Sequence, residues 1–139
     1  MPSSNFLALP KRTADAYFTG GFKMLLISAA PSEANLDAWS VRSDVTTEVA
    51  ASGSYPTGGA PVTATVGAAD VANNRVPVTF ASPAPFTGTT IGAVGGIIYK
   101  DKGSAGADEL VTYVDFGGTV SSTNDTFTVT INSPLYVNR

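Results

Sequence analysis

From residue 61 onward, apolar and polar residues alternate in short runs, and turn residues interrupt each run. Val62-Thr63-Ala64-Thr65-Val66 is followed, past the turn residues Asn73-Asn74, by Arg75-Val76-Pro77-Val78-Thr79-Phe80. Thr126-Phe127-Thr128-Val129-Thr130-Ile131 is the cleanest alternation of all. Successive side chains of a strand point to opposite faces, so a period of two turns one face to a core and the other to water. The first two runs are expected to form a hairpin or meander, and the third a strand of its own. Pro77 has no N–H to give to a ladder, which places its strand at a sheet edge. Pro83 and Pro85 then break the chain.

Two further segments extend the pattern. Thr90-Ile91-Gly92-Ala93-Val94-Gly95-Gly96-Ile97-Ile98-Tyr99-Lys100 is long and apolar, and its glycines point to a bulge or to close approach by another backbone or a large aromatic. Across a polar loop at 101–108, Leu110-Val111-Thr112-Tyr113-Val114-Asp115-Phe116 is expected to pair with it, and Leu135-Tyr136-Val137 closes the chain. Near the start, Phe22-Lys23-Met24-Leu25-Leu26-Ile27-Ser28 is largely apolar on both faces, the mark of a central strand. About seven strands at short spacing predict a mainly β chain, an antiparallel β-sandwich or a flattened barrel, in one domain over 21–139.

Residues 1–20 read differently. Phe6, Leu7, Leu9, Tyr17 and Phe18 are scattered, with Pro10 in their midst and the helix-compatible Thr13-Ala14-Asp15-Ala16 after it. Ordering a residue's backbone costs roughly 1–2 kcal/mol, and an apolar side chain returns about 1.5–3 kcal/mol when buried. Five such side chains do not offset some twenty ordered residues without another surface to lie on. The expectation is an extended N-terminal arm, ordered against a neighbouring subunit; the alternative is a frayed terminus or a strand added to the protein's own sheet. Residues 33–51 are the one region with a plausible helix, and Ser43 with Thr46 or Thr47 and Glu48 loosely resembles a capping box. Ser52-Gly53-Ser54-Tyr55-Pro56-Thr57-Gly58-Gly59 is a turn cluster.

Composition then narrows the chemistry. The chain has no cysteine and no histidine, which removes thiolate nucleophiles, the commonest metal ligands and the commonest general base. Serines are present, but no Gly-x-Ser-x-Gly elbow occurs, and no phosphate-loop pattern follows the glycines at 88, 92, 95 and 96. Acid–base work would need two neighbouring carboxylates, and Asp108-Glu109 with Asp101 across the loop is the nearest grouping. A cation on Asp101 and Asp108 competes there with a solvated hairpin loop, which is the favoured reading. Asp115 interrupts an apolar strand, so it faces solvent or pairs with a cation such as Lys100 or Lys23; the alternative is a role in a subunit contact. The expectation is a non-enzyme with no cofactor and no metal. Only 14% of residues are charged, and the 8 Lys and Arg are scattered, which argues against nucleic acid as a partner. The longest apolar run, Met24-Leu25-Leu26-Ile27, is far short of a membrane helix, and Pro2-Ser3-Ser4-Asn5 does not resemble a secretory leader. Trp39 and Tyr55, in the irregular region, are divided evenly between a packed cap over the sheet and an intersubunit contact.

The strand ending Gly96-Ile97-Ile98-Tyr99-Lys100-Asp101, the Gly/Ala loop, Leu110-Val111-Thr112-Tyr113-Val114-Asp115-Phe116-Gly117-Gly118 and the final Thr-Phe-Thr-Val strand resemble small structural virion proteins of tailed bacteriophages. Ser54-Tyr55-Pro56-Thr57-Gly58-Gly59 and Phe22-Lys23-Met24-Leu25 are similar to the same group in the same order. The resemblance implies a capsid decoration, or cement, protein: a homo-oligomer, trimer favoured, on the capsid surface, bound to the major capsid protein and made in the host cytoplasm. It further implies an arm that reaches neighbouring subunits, which makes Phe6, Leu7, Leu9, Tyr17 and Phe18 interface candidates, alongside Trp39 and Tyr55 of the irregular region. A tail, neck or fibre-associated protein and a carbohydrate-binding β-sandwich module are the alternatives.

Overall fold

The structure, a computed structural model, describes residues 7–138. Phe6 lies outside the described residues. The strands are β1 (Phe22–Ile27), β2 (Ala60–Val62), β3 (Ala64–Val66), β4 (Arg75–Phe80), β5 (Phe86–Lys100), β6 (Glu109–Phe127) and β7 (Leu135–Asn138). They form two antiparallel sheets, ordered β2-β1-β5-β6 and β3-β4-β7, rather than a closed barrel. The expected mainly β, sandwich-like architecture is thus present.

The core lies between the sheets, where Phe22, Met24 and Leu26 of β1 meet Val76, Val78 and Phe80 of β4, with Ile98 of β5 beside them. The other face of the larger sheet carries Leu25, Ile27, Ile97 and Tyr99, all buried, under Trp39 and Val45. β1 is therefore covered on both faces, which is why its sequence is apolar without alternation. The glycines of β5 serve close approach: a Cβ on Gly95 would lie 2.5 Å from the Tyr113 ring and 2.5 Å from the Val114 carbonyl.

Several expectations are corrected. The alternating run at 62–66 is two strands: Val62 pairs with Phe22 in one sheet and Ala64 with Phe80 in the other, so the chain changes sheets at Thr63. Pro77 lies in the central strand of its sheet, not at an edge. The nitrogen and carbonyl of one strand residue face the same neighbour, and the Pro77 carbonyl accepts from Gly67 N, just past the end of β3. The missing N–H falls where β3 has already stopped. Residues 128–134 lie outside the strands, although Phe127 and Val129 are buried and Thr128 and Thr130 exposed.

From residue 7 onward the arm is not extended. Residues Ala8–Tyr17 form a helix, α1, laid on β4 and β7 of its own domain. Pro10 is tolerated because first-turn amides have no acceptor within the helix. Ala14 is fully buried, and just beyond the helix Phe18 stacks on Phe22 at 5.7 Å and meets Phe80 edge-on at 6.0 Å. Lys100 Nζ donates to the Tyr17 carbonyl at the helix C-terminus (2.6 Å), where a cation is favoured. The surface that repays ordering is the domain itself.

The layer over the second face is irregular. It contains a short helix, α2 (Glu33–Ala38), and a 3₁₀ turn, Arg42–Asp44. The capping box sits earlier than expected: Ser32 Oγ accepts from Asn35 N, and Asn35 Oδ1 accepts from Ser32 N. Asp44 Oδ2 accepts from the amides of Ser40 and Val41. No helix among the described residues is long and apolar enough to cross a membrane.

Candidate interaction surface

The polar residues singled out in the sequence are engaged in holding the fold. Asp108 is 1% exposed, not solvated as expected of a hairpin loop. Its Oδ1 accepts from Lys102 N (2.7 Å), and its Oδ2 accepts from Arg42 Nε (2.8 Å). One carboxylate thereby closes the β5–β6 loop and ties it to the 3₁₀ turn. Burial pushes the Asp108 carboxyl up, but the Lys102 amide and the Arg42 guanidinium outweigh it and hold the acid below the usual aspartate value. Asp101 instead meets Lys23 Nζ at 3.3 Å. No group of three or more acidic side chains able to hold a metal occurs among the described residues.

Asp108→Asn is expected to cost about 1–3 kcal/mol near neutral pH, because Arg42 and the Lys102 amide lose a charged acceptor. A depressed folded-state pKa contributes stability above the unfolded value of about 3.9 and loses it as pH falls through the folded value. The gap between wild type and variant should therefore close below about pH 4, and urea melts at pH 7 and pH 3 measure it.

Among the described residues, β6 is one of four edge strands, with β2, β3 and β7, and it is the longest of them. Its first residues are covered, since Val41 bridges Glu109 and Leu110 N donates to the Ser40 carbonyl. Ile98 pairs with Thr112 while Tyr99 pairs with Leu110, so Val111 is a bulge residue. Beyond it, residues 112–115 pair with β5 on one side, and residues 112–116 meet no strand of the described residues on the other. Asp115 faces solvent and accepts from Gly117 N (2.8 Å), starting an excursion before Val120 rejoins Ala93. It pairs with neither Lys100 nor Lys23.

Residues 128–134 border the hollow beside this edge without joining a ladder; Ile131 N donates to Ser82 Oγ. The hollow has a volume of about 560 Å³, and Phe80, Ile98, Phe127 and Val129 line its core side. On the opposite face of the same edge, Leu36, Trp39, Ile97 and Leu110 line a second hollow of about 190 Å³. Thr112 and Tyr113 border both.

The interface candidates do not converge on one surface. Leu7, Tyr17 and Phe18 are half-buried against the intersheet core, and the Tyr17 hydroxyl donates to Glu109 Oε1 (3.1 Å). Leu9 is exposed on α1. Trp39 is a packed cap over the second face and forms part of the smaller hollow. Tyr55 is 1% exposed, a core residue rather than an interface or sugar-stacking one, because β2 ends early and leaves the β1 edge for its hydroxyl. Of the edge at 112–116 the sequence points only to Asp115 as a contact residue, and it does not mark the segment at 128–134 as part of a surface. Comparison with protein-family models, with curated proteins and with solved structures finds no match to this chain.

Proposed function

We propose that this chain is a non-enzymatic structural protein of a phage virion that binds the capsid lattice and stabilises it, as a homo-oligomer on the capsid surface. The observation that supports this reading is the open main-chain edge beginning at residue 112, with a hollow on each face: Phe80, Phe127 and Val129 give one its apolar wall, beside Thr128, Thr130 and Asn132, and Trp39 and Ile97 give the other its own. Such an edge offers a partner backbone pairing and apolar contact, the means by which one chain adds a strand to another. β6, which carries the edge, and its neighbour β5, together with β1, carry most of the resemblance to virion proteins.

Capsids assembled without the protein provide the test. A ligand that binds only the intact lattice stabilises it by mass action, by about 2.7 kcal/mol per site at a hundredfold excess over Kd. Saturating protein should raise the capsid melting temperature in calorimetry and appear as ordered density on the head. Unchanged melting, or density confined to neck or tail, would reassign the role.

A further inference from the structure

We propose that residues 7–18 are a strap: α1 and Phe18 lift off the domain as one unit about Thr19-Gly20, while both sheets stay folded, and the rings of Phe22 and Phe80 are uncovered. The device is independent of what the chain binds.

The strap is tied at one end. Among the described residues, no backbone hydrogen bond joins 7–19 to the rest of the domain, and the two side-chain hydrogen bonds to the sheets both involve Tyr17. Lys100 Nζ, at the end of β5, donates to the Tyr17 carbonyl (2.6 Å), and the Tyr17 hydroxyl donates to Glu109 Oε1, at the start of β6 (3.1 Å). Within α1 itself only Pro10 and Ala14 are buried. The helix has little to hold it once undocked: no side chain caps its N-terminus, its first turn has no acid and its last turn no base. The Lys11–Asp15 pair (2.7 Å) sets the cation nearer the positive end of the helix, the weaker order. A helix of ten residues is marginal in water, so undocking melts it and releases its backbone entropy. Such a segment opens at a lower free energy than the strands beneath it.

The chain on either side fixes the hinge. The Gly21 carbonyl accepts from Asp101 N (3.0 Å), which anchors the approach to β1, whereas Thr19 and Gly20 are exposed. Gly20 holds φ +87° with nothing within 4 Å of its Cβ position, so this left-handed turn serves the docking of α1 and not any packing of its own. With the strap in place Phe22 is 1% and Phe80 5% exposed. Phe18 stacks on the first and meets the second edge-on, so lifting it strips both rings together.

Amide hydrogen exchange of the full-length protein, read by NMR, tests the strap. The amides of 12–18 should share one protection factor, lower than that of the β1 amides. Ile97→Val lies on the face of the larger sheet away from α1 and weakens the sheets alone. It should speed exchange in β1 roughly twofold to tenfold and leave 12–18 unchanged. Gly20→Ala penalises the docked turn and should speed all of 12–18 by one common factor, about fivefold to thirtyfold. Acceleration of 12–18 by Ile97→Val in step with β1 would overturn the proposal, because α1 would then open only when the domain unfolds. Protection graded along the helix, with no response to Gly20→Ala, would overturn it too and leave only a fraying end.

Discussion

Gly59→Ala is expected to cost more than about 4 kcal/mol, enough to leave a domain of ordinary stability largely unfolded. Gly59 has φ +79° and packs against the central strand, so a Cβ there would sit 1.8 Å from the Met24 carbonyl oxygen and 2.8 Å from Leu25 Cα. Those atoms belong to β1, held by β2 on one side and β5 on the other, and they have no free direction in which to yield. The next residue, Ala60, pairs with Met24, so moving Gly59 away also unseats β2. Gly88→Ala is the matched control. Gly88 also has positive φ, at +63°, but nothing lies within 4 Å of its Cβ position, so only the backbone penalty of about 1–2 kcal/mol applies. Urea unfolding followed by circular dichroism gives both values. A Gly59→Ala unfolding free energy within about 1 kcal/mol of the control's would mean that the turn does not lie this close to β1.

The sequence resolves what a side chain faces better than what a backbone pairs with. At 127–130 the alternation correctly sorts Phe127 and Val129 inward and Thr128 and Thr130 outward, yet β6 ends at Phe127 and the rest is no strand, because period two carries no information about a ladder partner. β1 and the β5–β6 pair were legible for the complementary reason: continuous apolar character marks burial on both faces, and the pair is joined by a short polar loop. α1 is missed because five apolar side chains are set against the cost of ordering without the sheet surface they lie on, which only the fold supplies, and Pro10 falls in a first turn where it costs no hydrogen bond. The edge at 112–116 was invisible because being an edge is a property of strand order, which depends on residues far apart in the chain. Asp108 lies in a loop that reads as solvated, and only the arrival of Arg42 makes it a buried clamp.

Tyr55 is where the turn cluster locks onto the core, and its removal carries the second large effect. β2 pairs with β1 only from Phe22 to Met24, so the amide of Leu26 has no strand on that side. The Tyr55 hydroxyl accepts from Leu26 N (2.9 Å) and donates to Glu48 Oε1 (3.0 Å), which also accepts from Gly58 N (2.6 Å). The ring meets Phe86 edge-on at 5.0 Å. Tyr55→Phe keeps the ring but orphans a buried amide, which costs about 1–3 kcal/mol. Tyr55→Ala also opens a cavity and is expected to cost about 3–5 kcal/mol. A pH signature separates the hydroxyl's share from packing. Burial, then the Glu48 charge and hydrogen bond, push the Tyr55 phenol far up, against an opposing effect from the Leu26 amide. A raised folded-state pKa contributes stability that is complete below the unfolded value, near 10, and is lost as pH rises. Tyr17 and Tyr99, both pushed up to about 12, with burial the leading cause, lose stability in the same range in wild type and variant alike. The difference between wild type and Tyr55→Phe should therefore shrink above about pH 10, and a difference that stays constant from pH 7 to pH 11 would show that the hydroxyl is not engaged with Leu26 and Glu48.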